Sequence, residues 1–229
     1  MFGGVIVDIN GFRKILPSII DLSCVGAADR YEEIEKMAEM AVRLKCAAVF
    51  AMPANTEFLC SLMKDTGIAV GGVVGFPSGC EETDTKLFIA EKLLKYGCGE
   101  LDMVINQTWL KSGREDMAAD DIRAVADLCG EIPLKVILEV NNLSDEQIKL
   151  GCRIAEQSGA SFVKSGTGWH KKPTELRHIQ LMRSSVGENI KIKAAGGIKD
   201  IETAYNMYLA GCTRFGESVH SAKLLLSEN

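Results

Sequence analysis

The run Ala47-Ala-Val-Phe-Ala-Met52 contains no polar residue. It follows directly on Tyr31–Lys45, where Ile34, Met37, Ala38, Met40, Ala41 and Leu44 fall near the i, i+3, i+4 positions of one stripe. A short, wholly apolar run behind an amphipathic helix is what a strand covered on both faces requires. The pairing predicts a helix packed against a buried parallel sheet.

Outward from there the pattern repeats. Short apolar or β-branched runs occur at Leu16–Asp21, Ala47–Met52, Ala69–Gly75, Glu100–Asn106, Leu134–Val140, Ser161–Lys164, Ile190–Ala195 and Thr213–Gly216. Helical segments separate them. Ser144-Asp-Glu-Gln147 is a capping box ahead of Ile148 and Ile154, with Gly159 closing the helix. Thr174-Glu-Leu-Arg177 opens another helix, with Pro173 expected at its first position, and Glu202–Leu209 ends at Gly211. Gly67 and Gly97 are expected to close two more. Eight strand–helix units fit an eight-stranded (β/α)8 TIM barrel, and 229 residues is close to the usual length of one. A doubly wound open sheet has the same periodicity. Regular spacing, and the lack of a G-x-G-x-x-G after the first strand, favour the closed barrel. No linker or composition shift divides residues 1–229, so one domain is expected.

Composition narrows the function. Apolar residues make up 47%, charged residues 25%, and the net charge is −5 without a block of like charges. A nucleic-acid binder is usually basic, and a membrane-surface binder carries a basic amphipathic stretch, so neither partner is expected. Residues Met1 to Phe12 lack a charged start followed by an apolar core, and no stretch of 18 apolar residues occurs. Eight scattered cysteines without a C-x-x-C pair read as reduced, mostly buried thiols of a cytoplasmic protein, not as disulfides or metal ligands.

In a barrel of this kind chemistry collects at the C-terminal ends of the strands. Asp102 interrupts the apolar run Leu101–Ile105, Lys164 ends Ala160–Lys164, and Lys193 sits in Ile190–Ala195. Taken singly, each lysine reads as a solvated strand end and the aspartate as a buried structural acid. Together, strands four, six and seven bring them to one mouth. A second ammonium beside a confined lysine lowers its pKa and frees the amine, while a carboxylate can shuttle protons. That set suits imine chemistry. Lys135 and Glu139 share a face of strand five, with Lys135 expected in an ion pair on the barrel floor. Lys191 shares a face with Lys193, is expected to lie deeper, and is taken as structural.

The same residues carry a resemblance. Glu100-Leu-Asp-Met-Val-Ile-Asn106 with Leu110-Lys-Ser-Gly113, Phe162-Val-Lys-Ser-Gly-Thr-Gly168 and Ile192-Lys-Ala-Ala-Gly-Gly-Ile198 resemble the fourth, sixth and seventh strands of deoxyribose-phosphate aldolases. Ile20-Asp-Leu-Ser23, Val74-Gly-Phe-Pro77 and Leu134-Lys-Val-Ile-Leu-Glu139 extend the likeness in order over nearly the whole chain. The resemblance implies a class I aldolase that cleaves 2-deoxyribose 5-phosphate to acetaldehyde and glyceraldehyde 3-phosphate, without metal or other cofactor. It makes Lys164 the imine-forming lysine, Lys193 the cation that lowers its pKa and Asp102 the proton-relay acid. Gly168, Gly196, Gly197, Gly216 and Ser218 would hold the phosphate. Dimers are common on this fold, so a homodimer or higher homo-oligomer is expected.

Some residues depart from the family pattern. Glu217 and Val219 stand where a small residue and a serine are usual, Ser165-Gly166 replaces Thr-Ser, Ala195 replaces a serine, and Phe50 and Met52 alter the acceptor side. If Glu217 faces the pocket it repels a phosphate; otherwise it is a surface acid. Trp169-His-Lys-Lys172 offers compensating cations. Three other readings therefore stay open: a related Schiff-base lyase for another sugar or sugar phosphate, a non-catalytic metabolite-binding barrel, and an isomerase with Glu139 as its base.

Overall fold

The computed structural model describes residues 7–226; the reading of the extreme N-terminus falls mostly on residues 1–6, outside them. The strands are β1 Ile20–Cys24, β2 Ala48–Ala51, β3 Ala69–Val74, β4 Glu100–Val104, β5 Leu134–Ile137, β6 Phe162–Lys164, β7 Lys191–Ala195 and β8 Cys212–Ser218. All pair in parallel with their sequence neighbours, and β8 closes on β1. That closure rules out the open sheet. The helices are α1 Ile9–Ile15, α2 Tyr31–Leu44, α3 Pro53–Met63, α4 Thr83–Tyr96, α5 Gln107–Lys111, α6 Glu115–Cys129, α7 Asp145–Gln157, α8 Leu176–Ser185, α9 Ile201–Leu209 and α10 Val219–Leu226.

The expected helix stripe is the buried face of α2: Ile34, Met37, Ala38, Met40 and Ala41 are covered and Leu44 packs at the edge. The capping box at Ser144 and Gln147 starts α7 with both of its reciprocal bonds. Gly97 ends α4 in the left-handed conformation, at φ 99°.

Four expectations about elements need correction. Leu16–Ile19 is a short 3-10 turn and the strand begins at Ile20, because Pro17 has no N–H to give to a ladder and its carbonyl caps the turn. Gly67 does not close α3, which ends at Met63; Asp65 takes the first left-handed turn after it, at φ 62°. Pro173 does not begin α8. Thr174 is buried, with its hydroxyl bound to the Ala195 carbonyl and its N–H to the Gly196 carbonyl, so the chain stays irregular until Leu176. Asn106 belongs to no strand; its side chain accepts from the Trp109 N–H and caps α5.

Most apolar side chains pack between barrel and helices in one large cluster. A second, smaller cluster, Ala48, Phe50, Val73, Phe76, Val104 and Ile137, is separate from it. Its central ring explains a glycine. A Cβ on Gly71 would lie 2.1 Å from the Phe50 ring, so β3 has no side chain where β2 sends an aromatic across the lumen. Of the eight thiols, Cys80 is exposed, Cys60 half-buried and the rest buried, and none is paired in a disulfide.

Gly71→Ala is expected to force ring or strand to move, at a cost of about 2 kcal/mol and about 4–8 °C in Tm. Thermal unfolding checks this; an unchanged Tm would mean that the ring rotates aside freely.

Candidate active site

Strand register assembles the site. Asp102 lies opposite Lys135 across β4 and β5. Lys164 lies opposite Lys193 across β6 and β7, and Lys193 lies opposite Arg214 across β7 and β8. The inward alternation of each strand sends these side chains into one water-poor lumen.

Asp102 is the hub. It is fully buried, and its Oδ2 accepts from Lys164 Nζ at 2.8 Å and from Lys193 Nζ at 2.7 Å. Its Oδ1 accepts from Lys135 Nζ at 3.0 Å. Burial alone would raise its pKa, but Lys135, Lys164 and Lys193 outweigh that and hold it well below the usual carboxylate range. All three sequence-predicted residues therefore meet within one hydrogen-bond shell.

Lys164 ends β6 and is 7% exposed. Its pKa is lowered to about 8, with burial the largest cause; Asp102 works against the shift, and Lys193 and Lys135 add to it. The second ammonium thus contributes, as expected, but removal from water contributes more.

Beneath this layer lies a part of the network that the sequence reading left unassigned. Asp21 on β1 sits 2.6 Å from Lys193 Nζ through Oδ2 and accepts from Arg214 at 2.6 Å through Oδ1. Glu100 binds Lys135 at 2.5 Å and Arg214 at 3.3 Å. Burial would raise the Asp21 pKa, yet Lys193, Lys135 and Arg214 together lower it. Lys135 is the buried ion-pair member expected of it; burial is the largest single influence on its pKa and lowers it, but Asp102, Asp21 and Glu100 together outweigh burial and raise it. Inward-facing acids on β1 and β4 at the right alternation were the available signal. Lys191 is not deeper: it is exposed at the far end of β7, with Nζ 5.4 Å from the Phe162 ring.

The mouth opens into a cavity of about 630 Å³ lined by Lys164, Lys193 and all five expected phosphate-binding residues: Gly168, Gly196, Gly197, Gly216 and Ser218. Gly168, Gly196 and Gly197 adopt φ of 83°, 99° and 74°, a turn only glycine takes freely. Gly216 sits in tight quarters for a different reason, since a Cβ there would lie 3.0 Å from Ala195 Cβ and 3.1 Å from Lys193 Cε. The Ser218 hydroxyl accepts from the Ser221 N–H and so caps α10.

Among the departures, Glu217 is not a surface acid; it lines the larger cavity. It is 2% exposed, its Oε1 has no hydrogen-bond partner, and burial raises its pKa well above the ordinary value. The Ser165 hydroxyl is spent on β7, donating to the Ala195 carbonyl and accepting from the Ala195 N–H. Gly166 leaves room for Glu139, whose Oε1 would lie 2.8 Å from a Cβ there. Glu139 itself stands beyond β5 at φ 55° and accepts from the N–H and hydroxyl of Thr167. It lines a smaller cavity of about 350 Å³ and not the one containing Lys164. The isomerase reading thereby loses its base. Lys171 and Lys172 do not line the larger cavity; Trp169, Lys36 and Lys223 do. The Trp169 indole N–H donates to the Val25 carbonyl at 3.1 Å, and its ring meets Phe76 edge-on at 6.1 Å.

Residues 16–212 match the family model described as DeoC/LacD family aldolase. The chain belongs to that family. A relative from Rhizobium meliloti (strain 1021), named deoxyribose-phosphate aldolase, is 41% identical over 88% of this chain and 82% of its own. A solved structure described as QR15, an aldolase, is 31% identical, with a TM-score of 0.86 over 93% of this chain and 95% of its own. A tetrameric deoxyribose phosphate aldolase from Aeropyrum pernix shares the fold, with a TM-score of 0.86 at 24% identity over 95% of this chain and 92% of that one. No helix of the described residues is long and apolar enough to cross a membrane, and none of their acidic, histidine or cysteine clusters is arranged to hold a metal ion.

The lowered pKa of Lys164 has a consequence for stability. Between about pH 8 and the ordinary lysine value of 10.5 the unfolded chain binds the proton that the folded chain has released. Stability therefore rises with pH in that window and carries the full penalty below it. Urea unfolding of the wild type relative to Lys164→Met should show this rise; a pH-independent difference between the two proteins would contradict it.

Proposed function

We propose that this protein is a class I aldolase that reversibly cleaves 2-deoxyribose 5-phosphate to acetaldehyde and glyceraldehyde 3-phosphate through an imine at Lys164. The observation that carries the reading is the buried Lys164 amine at the barrel mouth, 2.8 Å from a carboxylate oxygen it shares with Lys193. Membership in an aldolase family, with a 41% identical relative named for this activity, favours it over a lyase for a different sugar.

In this mechanism neutral Lys164 adds to the C1 aldehyde of the open-chain sugar. Asp102, poised between Lys164 and Lys193, takes a proton from the adding nitrogen and relays it to the oxygen to give the carbinolamine, whose hydroxyl leaves as water with one further proton drawn from solvent. The resulting iminium is the electron sink. The C3 hydroxyl gives its proton to the Asp102 carboxylate, the C2–C3 bond breaks, and its electron pair enters the iminium to leave an enamine on Lys164 and free glyceraldehyde 3-phosphate. Protonation of the enamine carbon and hydrolysis then release acetaldehyde and the amine. Lys193 keeps positive charge beside the reacting nitrogen, and Asp102 passes the C3 hydroxyl proton to the enamine carbon without retaining it, in either direction.

The phosphate fits at the rim of the cavity. Gly168, Gly196, Gly197 and Gly216 present backbone there, and Ser218 stands at the N-terminus of α10, where N–H groups and the helix dipole favour an anion. Lys36 and Lys223 line the same cavity and supply charge. Burial pushes the Glu217 pKa upward, which weakens the repulsion its sequence position suggests. Eight cysteines outside any disulfide, six of them buried, agree with a reducing, cytoplasmic setting, and a homo-oligomer remains part of the proposal.

Two experiments test the reading. Borohydride reduction in the presence of acetaldehyde or 2-deoxyribose 5-phosphate should leave a mass adduct on the Lys164 peptide, and Lys164→Ala should abolish both adduct and turnover while retaining the fold. Well-folded protein without any adduct would sink the imine mechanism. Separately, Lys36→Gln with Lys223→Gln should raise KM for the sugar phosphate about tenfold and leave unphosphorylated deoxyribose unaffected. Equal effects on both substrates would remove these lysines from the phosphate site.

A further inference from the structure

Strands β1 and β4 to β8 present seven charged groups to the lumen: Asp21, Glu100, Asp102, Lys135, Lys164, Lys193 and Arg214. The intervening β2 and β3 add Phe50 and the side-chain-free Gly71, with no titratable group. Four cations thus face three carboxylates in a space with little water, and full ionisation leaves one positive charge in excess. Burying an unbalanced charge is costly, so one cation is under pressure to release its proton.

Contacts decide which one. Lys135 is within 4 Å of three carboxylates: Glu100 at 2.5 Å, Asp102 at 3.0 Å and Asp21 at 3.9 Å. Lys193 reaches two, Asp21 and Asp102. Arg214 also reaches two, Asp21 and Glu100, and a guanidinium does not deprotonate in proteins. Lys164 has a single carboxylate partner and shares that oxygen with Lys193. It is the cation with the least support.

We propose that Arg214, which makes no hydrogen bond or ion pair to Lys164, is the positioning residue that makes Lys164 the lysine of the lumen that most readily releases its proton to become a free amine. It does so by occupying Asp21 and Glu100 with a permanent positive charge, which leaves Lys193 and Lys135 to draw on Asp102. Without Arg214, Asp21 turns fully to Lys193 and Glu100 to Lys135. Cations and carboxylates are then equal in number, and Asp102 can hold Lys164 as an ammonium. The inference rests on the imine reading of Lys164 given above, and gives that site its source of nucleophilicity.

The test reads Lys164 itself, without any sugar. Wild type, Arg214→Gln, Arg214→Lys and Glu100→Gln are reductively methylated with formaldehyde and cyanoborohydride across a pH series, and modification of the Lys164 peptide is followed by mass spectrometry. Circular dichroism checks that each variant is folded. Arg214→Gln should move the midpoint of Lys164 labelling up by about one pH unit, so that labelling at neutral pH falls about tenfold. Arg214→Lys, a cation still held by two carboxylates, should restore the wild-type midpoint. Glu100→Gln removes an anion and should move the midpoint the other way.

An unmoved midpoint in Arg214→Gln, or shifts of the same sign in Arg214→Gln and Glu100→Gln, overturns the proposal. If Arg214→Gln does not fold, Glu100→Gln decides alone, and a midpoint that stays put or rises refutes it. A wild-type Lys164 that titrates near the ordinary lysine value would instead count against the imine reading, which separates the two failures.

Discussion

The Asp102 carboxylate organises this molecule. One buried carboxylate accepts from three lysine nitrogens on three different strands, at 2.7 to 3.0 Å. Such an arrangement is stable only if every strand is in register, because a slip of one residue would turn each side chain to the helix layer and leave a charge unpaired. The barrel is therefore constrained by its polar centre as well as by its apolar shell. The outer cluster holds the helices on, and the inner charges fix which residue of each strand faces which.

How far the sequence reveals this depends on the kind of interaction. Strand and helix positions follow from local periodicity, so seven of the eight apolar runs begin within two residues of the observed strands. The exception is Leu16–Asp21, where Pro17 makes the first half a turn. The triad of Asp102, Lys164 and Lys193 was visible as polar residues stranded in apolar runs. The lower layer was not: Asp21 reads as one residue of a family motif, Glu100 as a strand start and Arg214 as an ordinary cation. Their importance comes from barrel closure between β8 and β1, a contact nearly two hundred residues apart in the chain.

Glu217 shows the opposite limit. A carboxylate beside an anion site looks prohibitive when charge is assigned from residue type. Its environment acts on the group itself, because burial without a hydrogen-bond partner on Oε1 pushes the carboxyl's pKa upward and so favours the neutral form. Glu139 is a parallel case. Its position suggested a base, yet Thr167 takes the Oε2 lone pairs and Gly166 exists to make room for it. In both, the chemistry follows from what surrounds the group, which the linear sequence does not state.

The Phe50 ring has a further significance. It lies under two ammonium groups, 4.4 Å from Lys193 and 4.9 Å from Lys135, and can do so only because Gly71 is bare. The pair behaves as one character written in two places. A larger residue at 71 is tolerable only with a smaller one at 50, and a smaller one at 50 admits water beneath the cations and dilutes their hold on one another. Substitution one position at a time would score both as immutable. The accessible route between alternative linings of this lumen therefore runs through simultaneous change, and laboratory evolution of the site will move in double steps there.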